Sequence, residues 1–462
     1  MTERARRCEG IGKPPTLGYD RRWRRKATSM RLAGSPRQEG SVLWTVLLSV
    51  AATLLVVFFA LNLTTGEKRV KEQLEHRYGI RDAQFQRTMG VLLGPVIIPG
   101  NRFATLLNGD EIFPSMLQAI EGAQKTITFE TYIYWSGDIG KAFADALSQR
   151  ARAGVKVHVL LDWLGSSKMD QAFLAEMRDA GVRIRRYHEP RWYNLDKLNN
   201  RTHRKVLVVD GRIGFTGGVG IAPEWTGHAQ DPEHWRDSHF RAEGPVVAQM
   251  QAVFGDNWVK ATGEVLDGAD YFPAVAALGD SAGQMFASSP SGGSESMQLM
   301  YLLMIAAAEH SIELSSSYFV PDELSRDTLV AALRRGVRVR IITPGPHIDS
   351  ETVRRASRAL WGDLLEAGAE IYEYQPTMFH CKVLVADGLV VSVGSTNFDD
   401  RSFRLNDEAS LNIYDAAFAA HQVEVFERDL KSSRRISVDE WRDRPLLEKL
   451  WERAAALLGP QI

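Results

Sequence analysis

The feature that most constrains the fold is an internal repeat, because two copies of one order of parts must build two similar units. The strand-like run Thr126–Tyr134 (TITFETYIY) follows a helical pattern, as does Ser311–Val320 (SIELSSSYFV). Gly154–Leu161 (GVKVHVLL) is answered by Gly336–Ile342 (GVRVRII), and the helices that follow end at Gly181 and Gly368. THRKVLVVDG, ending at Gly211, then matches FHCKVLVADG, ending at Gly388. The offsets between matched points are 185, 182, 187 and 177 residues, so the order is kept with small insertions. Continuous Val/Leu/Ile strands alternating with helices predict a sheet covered on both faces. The chain is thus expected to carry two α/β units, over residues 90–262 and 280–462. The Gly/Ser-rich stretch Ala287–Ser296 reads as a linker near their joint.

Ahead of these units lies a different kind of segment. No charged residue occurs from Gly40 to Gly66, and Val42–Leu61 (VLWTVLLSVAATLLVVFFAL) is almost wholly apolar. Twenty helical residues at about 1.5 Å each span a hydrocarbon core of roughly 30 Å, which predicts a transmembrane anchor over 41–65. A cleaved signal peptide fits less well, because its apolar region would be shorter and no small-x-small site follows Phe59. Residues 1–40 read as a basic tail without structure. The whole chain has 56 Lys+Arg against 57 Asp+Glu; the tail's eleven basic and four acidic residues leave 45 against 53, a net charge of −8 elsewhere. A body this acidic argues against nucleic acid as a partner. Basic residues are denser before the apolar run than after it, which favours a cytoplasmic N-terminus. Two cysteines, Cys8 and Cys381, exclude a disulfide framework or thiolate cluster.

Both units carry His-x-Lys-x4-Asp with a glycine farther on: His203, Lys205, Asp210, Gly217 and His380, Lys382, Asp387, Gly394. One copy would be weak evidence; two at equivalent places in a repeat are specific. His and Lys two apart on a strand share a face, so a two-fold arrangement can bring both pairs to one cleft. Two lysines can neutralise the charge that gathers on a phosphodiester during attack at phosphorus. One neutral imidazole can attack, and one imidazolium can protonate the leaving alkoxide. A phosphohistidine then passes the group to a second alcohol or to water. No metal or other cofactor is needed. Asp210-Gly211 and Asp387-Gly388 read as hairpin turns, so these aspartates are expected to be structural. Each histidine also needs an acceptor for its other ring nitrogen; Asp237 is the candidate for His203 and Glu408 for His380. His228, Asp231, His234, Asp237 and His239 form a cluster in sequence, but their spacing fits no standard zinc pattern.

The paired motifs resemble the phospholipase D superfamily, and more closely the bacterial cardiolipin synthases. The resemblance covers nearly everything after about residue 90, through FETYIYWSGDIG, EHWRDSHFRAEGP, SSYFVPDEL and STNFDDRSFRLNDE. It implies two phospholipase D-like α-β-α units packed about a pseudo-two-fold axis, with the active site between the units; the apolar run adds one transmembrane helix ahead of them. It implies His203 as nucleophile, His380 as general acid, and Ser395 and Asn397 as phosphate-binding residues. The implied substrates are phospholipids, phosphatidylglycerol first, at the lipid bilayer of a bacterial cell. The first motif departs from the pattern: Gly220 stands where the family has asparagine. The rival readings are a phospholipase D or other headgroup exchanger, a nuclease of the same superfamily, and a catalytically silent scaffold.

Overall fold

The computed structural model describes residues 37–63, 70, 72–189, 199–290 and 297–461; positions 1–36 of the basic tail and 291–296 of the linker lie outside them. The chain divides into two units, the first ending at Val56 and the second beginning at Val57. A helix runs over Arg37–Leu63, and its described side chains from Val42 to Val57 are exposed. Among the described residues no helix is long and apolar enough to cross a membrane.

The second unit is organised by one long mixed sheet whose strand order is nearly palindromic. Beyond an edge strand, Ser433–Ile436, the order from the second repeat inward is Glu370–Tyr374, Arg338–Pro344, Ser311–Ser316, Lys382–Ala386, Val390–Gly394, Asn406–Tyr414 and Ser281–Ser288. It continues outward through the first repeat as Ile98–Leu107, Ser238–Glu243, Ile213–Gly217, Val206–Val209, Thr126–Thr131, Lys156–Asp162 and Arg183–Tyr187. Ile98–Leu107 and Ser281–Ser288 pair antiparallel at the centre, as a local two-fold requires. The three outermost matched strands of each repeat pair in parallel through helical crossovers. Thr126–Thr131 is buried at every position, whereas the outer strands Arg183–Tyr187 and Glu370–Tyr374 alternate buried and more exposed residues.

Each repeat has its own core, one around Phe143, Val159 and Phe215, the other around Met304, Ile341 and Trp361. A third cluster joins Val208, Phe240 and Met250 of the first repeat to Met285, Val391 and Leu411 of the second. The two repeats therefore share buried apolar surface and cannot part without exposing it. One element crosses the expected boundary: helix Ala83–Leu93 buries Phe85, Met89 and Leu93 in the second repeat's core.

The two turn aspartates have matching work. Asp210 and Asp387 both hold positive φ, 53° in each case. The Asp210 carboxylate accepts the backbone N–H groups of Gln124, Lys125 and Thr126 at 2.7–2.9 Å. Asp387 accepts those of Glu309, His310 and Ser311. Each aspartate thus ties the hairpin after its motif to the start of the neighbouring strand. Asp210→Asn and Asp387→Asn keep the shape and the tolerated backbone but remove the charge and one acceptor oxygen, and should each cost about 1–2 kcal/mol. Melting temperature should fall by a few degrees while the turnover of folded protein stays near that of the parent.

Candidate active site

Each motif enters the site along the edge of the opposite repeat. The short strand Arg201–Thr202 pairs in parallel with Asn406–Asp407, and the His203 N–H donates to the Asp407 carbonyl at 2.9 Å. Symmetrically, Arg236 bridges to Phe379 and the His380 N–H donates to the Arg236 carbonyl at 2.7 Å. The side chains follow this crossing. His203 Nδ1 lies 2.9 and 3.1 Å from the two Glu408 oxygens, and His380 Nδ1 lies 2.8 Å from Asp237 Oδ2. Both proposed acids therefore face an imidazole, but the expected pairing is corrected: Asp237 serves His380 and Glu408 serves His203. The physical reason is the swapped backbone pairing, which seats each histidine beside the other repeat's carboxylate strand.

With a buried carboxylate on Nδ1, the proton is assigned there and Nε2 is left with its lone pair toward the cleft. Burial pulls His203 down to about 4, against the raising effect of Glu408. Burial, together with the Lys382 charge, pulls His380 down to about 3. Burial would raise both acids, yet His380 holds Asp237 below its usual value and His203 does the same for Glu408. The resting pairs are thus neutral imidazole and ionised carboxylate. Lys205 Nζ and Lys382 Nζ curl back to accepting carbonyls, those of His203 and His380, each at 2.9 Å. Burial and the neighbouring Lys382 bring Lys205 down to about 7. Two ammonium groups so desolvated favour an anion between them.

The cleft encloses about 250 Å³ and is lined by His203, Lys205, His380 and Asn397 together with unequal walls from the two repeats. A space of this size suits a phosphodiester headgroup. On the first repeat's side the wall is aromatic. Lys205 Nζ sits 5.6 Å from the Tyr132 ring centre, and Trp225 and Trp235 pack on His380 at 5.2 and 5.4 Å. On the other side it is polar. Lys382 Nζ donates to Ser317 Oγ at 2.6 Å, and Ser317 Oγ donates to Asn397 Oδ1 at 2.6 Å. Tyr318 OH donates to both oxygens of Asp349, at 2.8 and 2.9 Å. Burial raises the Asp349 carboxyl, and pushes Asp399 up to about 7.

Ser395 is fully buried and donates to Glu408 Oε2 at 2.5 Å, so it stands behind the histidine partner and not at the place expected for phosphate. The sheet register matches Gly217 with His239 and Gly394 with Ser410, which makes Gly218 the counterpart of Ser395 and Gly220 that of Asn397. A Cβ on Gly218 would come within 2.3 Å of Asp237 Oδ1. The hydrogen bond that Ser395 gives Glu408 is instead given to Asp237 by Trp225 Nε1, at 2.9 Å. A Cβ on Gly220 would lie 2.7 Å from Ile133 Cβ and 3.2 Å from Trp225. The departure from the family motif therefore has a steric cause: Trp225 replaces the missing hydroxyl and, with Ile133, fills the asparagine's space. Gly220→Asn, which would restore the motif in sequence, should cost about 1–3 kcal/mol through overpacking. Both melting temperature and turnover should fall.

The remaining histidines disperse. His228 pairs with Asp110 at 3.2 Å and His234 with Asp231 at 2.6 Å. Among the described residues no three His, Cys, Asp or Glu side chains converge as a metal-binding group. Cys381 is buried.

The fold and these motifs agree with known proteins. The family model described as cardiolipin synthase, PLD-like domain, matches residues 116–258 and 301–430, one match per repeat. Cardiolipin synthase 2 of Bacillus anthracis is 36% identical over 359 residues, which cover 77% of this chain and 70% of that protein. Cardiolipin synthase A of Pseudomonas syringae pv. syringae (strain B728a) is 35% identical over 377 residues, covering 81% and 78%. Among solved structures, the phosphatidylserine synthase of Haemophilus influenzae Rd KW20 shares the fold at a TM-score of 0.63 and 14% identity, covering 82% of this chain and 100% of that one. A paired-motif cleft on a two-fold α/β sheet, with likeness at this level over most of the chain, makes it a member of the phospholipase D superfamily, within its cardiolipin synthase-like family of phosphatidyltransferases.

Proposed function

We propose that this protein is a membrane-anchored cardiolipin synthase. The observation that carries the reading is the pair of imidazoles in one cleft, each with Nδ1 on a buried carboxylate and each beside a desolvated lysine. His203 Nε2 attacks the phosphorus of one phosphatidylglycerol, forming a P–N bond. The bond from phosphorus to the glycerol headgroup breaks, and His380, protonated in the loaded site, gives its proton to the departing alkoxide. A headgroup hydroxyl of a second phosphatidylglycerol then loses its proton to His380 and attacks, breaking the P–N bond and leaving cardiolipin. Lys205, Lys382 and the Asn397 amide hold the phosphoryl oxygens through both steps. The incoming phosphate charge compensates the lysines and raises the affinity of His380 for its proton. The anchor reading rests on the uncharged stretch Gly40 to Gly66 and is consistent with the exposed apolar side chains from Val42 to Val57. On this reading the protein belongs to the bacterial cell membrane.

The test is lipid analysis of a host lacking cardiolipin, with and without this protein. Appearance of cardiolipin and free glycerol is expected. Phosphatidic acid alone would make the protein a hydrolase, and a lipid with another headgroup would make it an exchanger. Because the two lysines supply the positive charge, activity should withstand EDTA; loss on chelation with rescue by one divalent ion would refute that part.

A further inference from the structure

The C-terminal helix Leu446–Ala456 is built inside out. Its polar residues face the protein: Glu448 pairs with Arg358 at 3.2 Å, and Glu452 pairs with Arg358 at 3.1 Å and with Arg444 at 2.7 Å. Its opposite face, extended by the turn that follows, carries Leu446, Leu447, Leu450, Trp451, Leu457 and Leu458, each 50–83% exposed. At 100° per residue these six fall within a single arc of the helix, so they form one continuous apolar surface. A soluble helix does the reverse, and an exposed patch of this kind marks an interaction site.

We infer that this helix lies in the headgroup region of an anionic bilayer and holds the mouth of the active site against the membrane. Three observations favour lipid over a second copy of the chain. Lys449 and Arg453 flank the patch and make no ion pair among the described residues, so the patch has a cationic rim that suits phosphatidylglycerol and that a two-fold partner would repel. The helix that carries the patch is also tied to the cleft, through its buried face and through the turn that follows it. Ala455 packs on Val353 and Ala356 in a cluster that Tyr318 of the cleft wall completes. Three residues after Leu458, the Gln461 carbonyl accepts from Arg401 of the cleft at 2.8 Å. Finally, the cleft has room for a headgroup, which a lipid can present there while its chains stay in the bilayer. This inference rests on the phospholipid-transfer reading, and its test is separable from it.

The experiment uses the full chain with Cys8 replaced by serine; Cys381 is buried. Leu450→Cys is labelled with an environment-sensitive fluorophore and the protein is reconstituted in phosphatidylcholine vesicles with or without phosphatidylglycerol. The label should shift to the blue and be quenched by lipids bearing a shallow acyl-chain nitroxide, more so with phosphatidylglycerol present. A label at Glu424→Cys, exposed on helix Ala416–Lys431, should do neither. Equal behaviour at the two positions overturns the inference, as does shielding of position 450 accompanied by cross-links between copies. A second arm replaces Leu446, Leu450 and Leu457 with serine. The ratio of turnover on vesicles to turnover on monomeric short-chain phosphatidylglycerol should fall about tenfold. An unchanged ratio counts against the docking surface. If the parent protein turns over neither substrate, the transfer reading fails while the quenching result still decides the surface.

Discussion

Replacing His203 with alanine should reduce phosphatidyl transfer on the order of 10⁵-fold and remove the covalent adduct, since the mechanism sets His380, the other imidazole in the cleft, to donate a proton and not to attack. The mechanism gives His380 a different task, so His380→Ala should behave differently. With phosphatidylglycerol it should also be severely impaired, because a glycerol alkoxide leaves poorly without a proton. With a substrate whose leaving group is already acidic, such as a nitrophenyl phosphodiester, His380→Ala should still form the adduct and then stall. Trapping the adduct by rapid quench and mapping it by mass spectrometry distinguishes the two. An adduct on position 380 in otherwise unaltered protein would reverse the assignment.

The crossed carboxylates give the second large effect. Glu408→Gln and Asp237→Asn should each lose on the order of 10²-fold or more in turnover while still folding, by the logic of other buried acids that hold an imidazole in one tautomer. Their signatures should differ. Glu408 faces His203, so Glu408→Gln should slow adduct formation even from an activated substrate. Asp237 faces His380, so Asp237→Asn should spare that step and slow reactions that need a protonated leaving group. Asp237 raises the proton affinity of His380. Removing its charge lowers that affinity, and the basic limb of the pH–rate profile, which reports loss of the proton, should move to lower pH. If Glu408→Gln moved that limb and Asp237→Asn did not, the roles of the two imidazoles would be exchanged.

Much of this was legible in the sequence because it is local. The repeat, the alternation of strands with helices and the Asp-Gly turns are written in contiguous residues, and the two His-Lys pairs could be paired with each other from spacing alone. The orienting acids were also found, since Asp237 and Glu408 stand at matching points of the two repeats. Their pairing was not, because it depends on which strand the chain meets across the centre of the sheet, namely Asn406–Asp407 beside Arg201–Thr202. The same holds for Trp225, whose indole does for Asp237 what the Ser395 hydroxyl does for Glu408. Nothing in a tryptophan twelve residues from an aspartate signals a hydrogen bond. The expectation that His and Lys share a strand face needed adjustment too: His203, Lys205 and His380 precede their strands, and only Lys382 begins one.

The crossing has a consequence for ancestry. Reciprocal contact, in which residue i of one copy meets j of the other and j meets i, is what a symmetric homodimer produces without further instruction. A one-motif chain wired in this way would be inert alone and would have two identical histidines when paired. Joining two such chains end to end keeps the wiring but releases the copies from identity. One position can then drift to glycine while a tryptophan takes over its partner's hydrogen bond, and one wall can turn aromatic while the other stays polar. A two-step transfer needs that freedom, because the group that attacks and the group that donates a proton are best served by different surroundings.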